Sequence, residues 1–197
     1  MKIVSIIILI TACVFGNPKP KEENTIEDSD IERFNQQIEN VKKMSASGVY
    51  NSKIAFFIDM RIKSGKNRFF VYDLENDKVI DEGLVANGAG SETGVKGELK
   101  FSNEPNSKCT SLGCYAIGKS YRGIFGKAYV LKGLDQTNNN AVKRMIVLHS
   151  YSAVPESEQD HYIALSQGCP MVSEVFFKRL EKIIDNSKSN IILNIYY

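Results

Sequence analysis

Residues 145–173 read MIVLHSYSAVPESEQDHYIALSQGCPMVS, and this stretch carries the most specific pattern of the chain. An apolar run, Met145 to Leu148, predicts a buried strand that ends at His149. A polar loop follows, and Ser166-Gln167-Gly168-Cys169-Pro170 then comes immediately before a predicted helix. A cysteine at a helix start with a histidine at a strand end indicates a nucleophile with its base.

The local chemistry around Cys169 favours catalysis. From the spacing alone, however, a buried cysteine and a histidine with a purely structural role would be an equally good interpretation. A helix N-terminus and a nearby histidine both lower the pKa of a thiol. Gly168 lets a substrate carbonyl approach the backbone closely. Because Pro170 has no N–H, an oxyanion hole would have to use the amides of Gln167, Gly168 and Cys169.

The rest of the chain predicts a mainly β fold with flanking helices. Ser29-x-x-Glu32 is a capping-box pattern, and the helix it predicts carries Ile31, Phe34, Ile38 and Val41 on one face and ends at Ser47-Gly48. Ser173 caps a second helix that reaches about Ser187. Strands are predicted at 53–60, 68–74, 78–86, 114–118, 128–132, 145–149 and 190–196, the first three as a meander.

A long glycine-bearing stretch, residues 87–111, separates the predicted meander from the later strands. Its glycines do not form a dinucleotide-binding fingerprint, since no helix follows and the spacing differs. Loops of this length within a compact domain are usually functional or mobile. We therefore expect a segment able to close over an extended peptide.

Composition excludes several classes of protein. The chain has 197 residues, 43% of them apolar, with 25 Lys+Arg, 23 Asp+Glu, two His, four Cys and no Trp. This predicts one globular domain with appendages and excludes collagen, coiled coils and disulfide-dense miniproteins. A net charge of +2 gives no reason to expect a nucleic-acid partner. Two histidines leave little material for a zinc site.

The N-terminus is typical of an exported protein. Lys2 precedes an apolar run to Ala12, which is too short to span a membrane. Ile10-Thr11-Ala12-Cys13 resembles the lipobox of bacterial lipoproteins, in which the cysteine is lipidated. The predicted division is a signal peptide at 1–12, a lipid-anchored tether at 13–30 and a catalytic domain at 31–197. The alternative is an ordinary signal peptide cut near Gly16, which would discard Cys13.

His149, followed by Ser166-Gln167-Gly168-Cys169 ahead of a helix, resembles the signature of the YkuD-type L,D-transpeptidases, the murein L,D-transpeptidase catalytic-domain family. Further segments that match are Asn87-Gly88-Ala89-Gly90, Phe101-Ser102-Asn103-Glu104-Pro105, Ser111-Leu112-Gly113, Tyr115-Ala116-Ile117-Gly118, Leu131-Lys132-Gly133-Leu134, Asn138 and Arg144. The resemblance covers residues 50–197 and implies a YkuD-like β-sandwich.

The resemblance also implies roles for individual residues. Cys169 would attack a stem-peptide carbonyl of peptidoglycan and form a thioester, His149 would be the base, and the carbonyl of Ser150 would orient the imidazole. Substrate-binding residues would be Ser166, Asn103, Ser111 and Gly113. The reaction would need neither a metal nor an organic cofactor, and we expect a monomer in the bacterial cell envelope, held to a membrane by its lipid.

Two positions depart from the family pattern, and several questions stay open. Gln167 stands where the family usually has His, and Met171 where it has Arg. Cys109 and Cys114 form either a disulfide or two free thiols, and His161 is expected to be a solvated loop residue. The same Cys–His site would serve an L,D-carboxypeptidase or endopeptidase, and a non-catalytic peptidoglycan-binding lipoprotein is the rival from another class.

Overall fold

The computed structural model describes residues 25–124 and 126–197. The predicted signal peptide and Cys13 lie outside these residues. The elements are α1 (Thr25–Ser45), β1 (Tyr50–Asp59), β2 (Phe69–Asp73), β3 (Lys78–Gly83), β4 (Val85–Ala86), a 3-10 turn (Ala89–Ser91), β5 (Gly113–Gly123), β6 (Gly126–Gly133), β7 (Val147–Ser150), β8 (Met171–Val172), α2 (Glu174–Asp185) and β9 (Asn190–Tyr196). The prediction of a mainly β fold with flanking helices is confirmed.

The nine strands of residues 25–124 and 126–197 belong to one curled sheet in the order β3-β2-β1-β9-β5-β6-β7-β8-β4. The predicted meander is present, since β1 pairs antiparallel with β2 and β2 with β3. The strand predicted at 78–86, however, is two strands: β3 and β4 are separated by Leu84 alone and lie at opposite edges of the sheet. A chain can pass from one edge to the other in one residue only if the edges have curled together.

The sheet is covered on both faces, which explains the continuous apolar runs of its central strands. Phe56 and Ile58 of β1 point into the main core, where Phe176 and Leu180 of α2 also pack. The alternate residues Ala55 and Phe57 point to the second core, under α1. Strand β9 divides its side chains between the same two cores.

Helix α1 begins earlier than its capping-box pattern predicts. The helix starts at Thr25, so Ser29 lies within it and not at its cap. Arg33 binds Asp30 on the same helix and Asp59 at the end of β1, both at 2.9 Å, and these contacts tie this part of the helix to the sheet. The helix ends as predicted, with Gly48 at a positive φ of 75°.

Three of the four apolar residues predicted on one face of α1 pack against the sheet. Ile38 and Val41 are buried, and the ring of Phe34 meets the rings of Phe57, Phe70, Tyr72 and Tyr196 at centroid distances of 5.3 to 6.4 Å. Ile31 is 60% exposed and does not dock. Aromatic clusters of this kind bury much apolar area, so we infer that Phe34 anchors the helix.

Replacing Phe34 by Ala should lower the free energy of unfolding by about 2–4 kcal/mol, because it empties the centre of this aromatic cluster. Equilibrium denaturation in urea measures the change. Ile31→Ala, on the exposed side of the same helix, is the matched control and should stay within about 0.5 kcal/mol of wild type. Equal effects of the two substitutions would show that α1 is not anchored through Phe34.

Candidate active site

The pairing of two short parallel strands brings His149 and Cys169 together. In the β7–β8 register His149 is opposite Met171, so Cys169 comes level with Val147. The Val147 amide donates to the Cys169 sulfur at 3.4 Å, and the thiol lies 3.7 Å from the carbonyl oxygen of Met145. Along β7, Val147 and His149 are two residues apart, roughly 7 Å by strand rise.

The carbonyl of the next residue fixes the His149 imidazole. Its Nδ1 lies 2.9 Å from the carbonyl oxygen of Ser150. A carbonyl only accepts, so Nδ1 carries the proton and Nε2 is the basic nitrogen of the neutral ring. His149 is 4% exposed, and burial lowers its pKa, although the bond to Ser150 acts in the opposite direction.

Cys169 is not at the start of a helix, contrary to the sequence prediction. Pro170 and the two residues of β8 intervene, and α2 is capped by Ser173, whose hydroxyl accepts from the Phe176 amide. The dipole of a helix acts only near its first turn. Burial raises the pKa of the Cys169 thiol, and the Val147 amide and the charge of Arg144 offset this only in part. Both pKa shifts favour the neutral pair, a thiol and an uncharged imidazole.

The loop that carries Cys169 is held on one side by Asn87 and Ala89. The Ser166 amide donates to the Asn87 carbonyl at 2.9 Å, and the Ala89 amide donates to the Ser166 carbonyl at 2.8 Å. The Ser166 hydroxyl accepts from the Gly168 amide at 3.0 Å. Ser166 is buried and therefore holds the loop in this structure, although the sequence predicted contact with substrate.

The sequence predicted an oxyanion hole made of three backbone amides, those of Gln167, Gly168 and Cys169, and one of the three has a hydrogen-bond partner in the structure. The Gly168 amide already donates to Ser166. Within the described residues, the amides of Gln167 and Cys169 donate to no protein acceptor. Gly168 itself has a φ of 116°, and a β-carbon there would lie 2.9 Å from the carbonyl oxygen of Cys109. The chain can take this path only with glycine at that position.

Beneath the loop lies Arg68, which sequence reasoning did not select as a site residue. It is 1% exposed, donates twice to the Val85 carbonyl at 2.9 and 2.8 Å, and donates to Asn87 Oδ1 at 2.8 Å. Burial lowers the pKa of Arg68 to about 10. A charged residue next to the apolar run Phe69-Phe70-Val71 was the available signal, because buried arginines are rare unless they are fully bonded.

Much of the glycine-bearing stretch is packed and not open. A β-carbon at Gly88 or Gly90 would lie 2.2 or 2.0 Å from the carbonyl oxygens of Lys108 and Ser107. These two glycines therefore allow one arm of the stretch to lie against the other. Gly94 and Gly97 have positive φ values and open space around them. Any closing movement is confined by this packing to the tip between Thr93 and Glu98.

Three other residues predicted to bind substrate have internal partners. Asn103 donates to the Gln136 carbonyl at 3.0 Å and to Asn139 Oδ1 at 2.7 Å. Ser111 is buried and exchanges hydrogen bonds with the Tyr115 hydroxyl. Gly113, with a φ of 113°, lies against the side chains of Asp135, Thr137 and Asn138. In this conformation these residues shape the walls behind the site.

Cys109 and Cys114 are free thiols, so of the two sequence alternatives the structure contains the unbonded one. Cys114 faces the core under α1, and burial raises its pKa to about 12. Cys109 instead has its carbonyl against Gly168. The two residues thus belong to different neighbourhoods. His161 is exposed, as expected.

Arg144 is the second charged residue that sequence reasoning did not place at the site. Its guanidinium donates to the carbonyls of Ser102 (2.9 Å) and Cys109 (2.5 Å) and to the hydroxyls of Ser111 (3.0 Å) and Ser107 (3.4 Å). It thereby joins residues 102–111 to the loop of Cys169. At the family's arginine position, Met171 is buried in an apolar cluster, which could not hold a charge.

Two features are missing from the described residues. They contain no group of three or more His, Cys, Asp or Glu side chains arranged to hold a metal ion. None of their helices is long and apolar enough to cross a membrane.

The chain's relationship to known proteins is clear at the level of the family. The sequence profile of the YkuD-type L,D-transpeptidase catalytic domain matches residues 25–196. The chain therefore belongs to that family, and its curled sheet with two helices is the YkuD-like β-sandwich. No curated protein sequence matches the chain.

Solved structures that are similar to the chain share little sequence identity with it. The L,D-transpeptidase of Xylanimonas cellulosilytica is 14% identical, with a TM-score of 0.42, over 78% of this chain and 68% of that one. The L,D-transpeptidase of Mycobacterium smegmatis is 11% identical (TM-score 0.44; 74% and 59%). The helical cell shape determining protein Pgp2 of Campylobacter jejuni is 11% identical (TM-score 0.49; 73% and 46%). The chain thus spans about half to two thirds of these relatives.

Alkylation of Cys169 by iodoacetamide should rise steadily through pH 7 to 9 and not level off near neutrality. The reason is that burial raises the pKa of the Cys169 thiol. The usual pKa of a cysteine thiol is about 8.5. Peptide mapping after timed labelling measures the rate at each pH, with buried Cys109 and Cys114 as internal controls. A plateau already reached at pH 6 would reveal a thiolate–imidazolium pair and contradict the structure.

Proposed function

We propose that this protein is a peptidoglycan L,D-transpeptidase that transfers acyl groups through a thioester on Cys169. The observation that carries the proposal is the parallel alignment of β7 and β8, which sets the thiol of Cys169 beside β7, the strand that contains His149. A nucleophile, a base and an orienting carbonyl at Ser150 are the parts that acyl transfer needs.

The proposed reaction begins from the neutral pair. Nε2 of His149 takes the thiol proton as Cys169 attacks the carbonyl of the stem-peptide residue that precedes a terminal D-amino acid. The amides of Gln167 and Cys169 stabilise the oxyanion. The C–N bond then breaks, and the imidazolium passes its proton to the leaving amine. An acceptor amine attacks the thioester in the second half of the reaction and regenerates the thiol.

Hydrolysis is the second candidate within the same chemistry. If water resolves the thioester, the same residues form an L,D-carboxypeptidase or endopeptidase. The packed arms of residues 87–111 favour a preformed wall over a mobile cover. Transfer then depends on how the acceptor amine is bound and not on closure of the whole loop.

Intact-mass analysis with a defined tetrapeptide muropeptide and an amine acceptor tests the proposal. Wild type should gain the mass of an acyl group on Cys169 and yield cross-linked or exchanged product. Cys169→Ala and His149→Gln should each lower the acylation rate by at least about 100-fold. Cys114→Ala, a buried thiol on the other side of the sheet, is the matched control and should retain acylation.

The products separate the candidate functions. Only hydrolysed tripeptide in the presence of abundant acceptor would indicate a carboxypeptidase. Binding of the muropeptide without any acyl-enzyme would indicate a non-catalytic envelope protein. Acylation of Cys169→Ala at the wild-type rate would exclude Cys169 as the nucleophile.

We further propose that the protein acts in the bacterial cell envelope and is attached to a membrane through a lipid on Cys13. The proposal rests on the apolar run to Ala12 followed by Cys13 and a charged segment. Two acyl chains give stable anchoring where one would not. The protein should therefore fractionate with membranes and Cys13→Ala should not; a mature N-terminus after Gly16 would contradict the anchor.

A further inference from the structure

Arg144 is held in one orientation by neutral partners. Both of its terminal nitrogens donate two hydrogen bonds, to the carbonyls of Ser102 and Cys109 and the hydroxyls of Ser107 and Ser111. These bonds use four of the five N–H donors of the guanidinium. No carboxylate of the described residues forms an ion pair with it. Its immediate hydrogen-bond partners are therefore all neutral.

This charge lies next to the nucleophile's loop. Nη2 of Arg144 is 3.2 Å from the point where a β-carbon of Gly168 would lie. The residue after Arg144, Met145, adopts a positive φ of 55°, a costly conformation for a residue with a side chain. That turn aims the Met145 carbonyl at the Cys169 thiol, 3.7 Å away.

The surroundings of the sulfur otherwise oppose a negative charge. The Met145 carbonyl suits the protonated thiol but repels a thiolate. Burial removes water that would solvate the anion. The Val147 amide is the one backbone donor that contacts the sulfur among the described residues. Besides the imidazolium that His149 becomes when it takes the thiol proton, Arg144 supplies a positive charge next to the loop that carries the sulfur.

We propose that Arg144 is a positioning residue of the site: it fixes residues 102–111 against the Cys169 loop and provides the positive field that favours anions at Cys169. Those anions are the thiolate and the oxyanion of the tetrahedral intermediate. Since its terminal nitrogens are already bonded, Arg144 acts through the loop and through its field and not as a direct ligand. The inference rests on the proposed role of Cys169 as nucleophile.

If Arg144 only held the loop in place, removing its charge would not change the electrostatic potential at Cys169. Two alkylating reagents distinguish this purely structural role from the proposed electrostatic one. Iodoacetate carries a negative charge and iodoacetamide is neutral, while both modify the same sulfur. The ratio of their rates at Cys169 therefore reports the local field and cancels changes in accessibility. A peptide of residues 165–171 gives the ratio for the same cysteine without the fold.

Wild type should show a higher iodoacetate-to-iodoacetamide ratio than the peptide. Arg144→Gln should lower that ratio about fivefold, the order expected for one unit charge several ångströms from the sulfur. It should also move the pH profile of iodoacetamide labelling further upward. Arg144→Lys keeps the charge and should restore most of the ratio.

Lys143→Gln is the matched control, since it removes an equal charge from the neighbouring, exposed residue. Exposed charges are screened by salt, so at 0.15 M ionic strength the control should match wild type. Urea denaturation verifies that each variant is folded before its rates are compared.

A folded Arg144→Gln variant with the wild-type ratio would overturn the proposal, as would an equal loss in Lys143→Gln. If Arg144→Gln does not fold, the comparison of wild type with the peptide is the test. A wild-type iodoacetate-to-iodoacetamide ratio no higher than that of the peptide would also overturn the proposal. None of these measurements uses peptidoglycan. A failure of the inference is thus distinguishable from a failure of the proposed function, which the muropeptide assay tests.

Discussion

The parallel ladder between β7 and β8 is the contact on which the site depends. His149 and Met171 are opposite one another in it, and this register sets Cys169 against the start of β7. A parallel pair needs a long connection between its strands, and here that connection contains the whole loop of Ser166 to Cys169. On its other edge β8 pairs with β4, so the cysteine segment is held within the sheet and not at its margin.

Two arginines, the buried Arg68 and the half-buried Arg144, hold the segments that surround the Cys169 loop. Arg68 binds the Val85 carbonyl and Asn87, and Asn87 in turn holds Ser166. Arg144 binds the carbonyls of residues 102 and 109. Arginine suits this task because its planar fork presents several donors in a fixed geometry. The direct hydrogen-bond acceptors of both cations are neutral oxygens, and Asn87, which binds Arg68, also donates to the carboxylate of Glu92.

The parts of the fold that could be predicted from the sequence are those that follow from the spacing of residues close together in the chain. The apolar run before His149, the strands of the meander, β9 and the Ser173 cap of α2 each follow from residue spacing, and the family resemblance supplied the candidate nucleophile and base. What could not be predicted depends on distant pairing. Strand β8 is two residues long and exists only because β7 and β4 flank it. The break at Leu84 follows from the curling of the sheet, and Ile31 fits the helical period but lies beyond the surface on which α1 docks.

The site residues show the same division. Matching segments indicated Ser111 and Asn103 as substrate contacts, which stays a prediction; the hydrogen bonds that join them to distant residues could not be read from those segments. Arg144 was visible as a match, yet its importance depends on oxygens 33 to 42 residues away in the chain. The cap of α2 at Ser173 was predicted, but Cys169 precedes it by four residues, which is too far for the helix dipole to act on the thiol.

The order of the strands also determines when the domain can fold. Strand β9 is the last of the domain in sequence but lies at the centre of the sheet, between β1 and β5. Its parallel pairing with β1 joins residues about 140 positions apart, and such distant contacts form slowly. A growing chain on the ribosome therefore has β1, β2 and β3 but no central strand to unite them with β5. The domain therefore stays open until β9 itself has been synthesised, and its two halves of the sheet are held together by a strand that neither half contains.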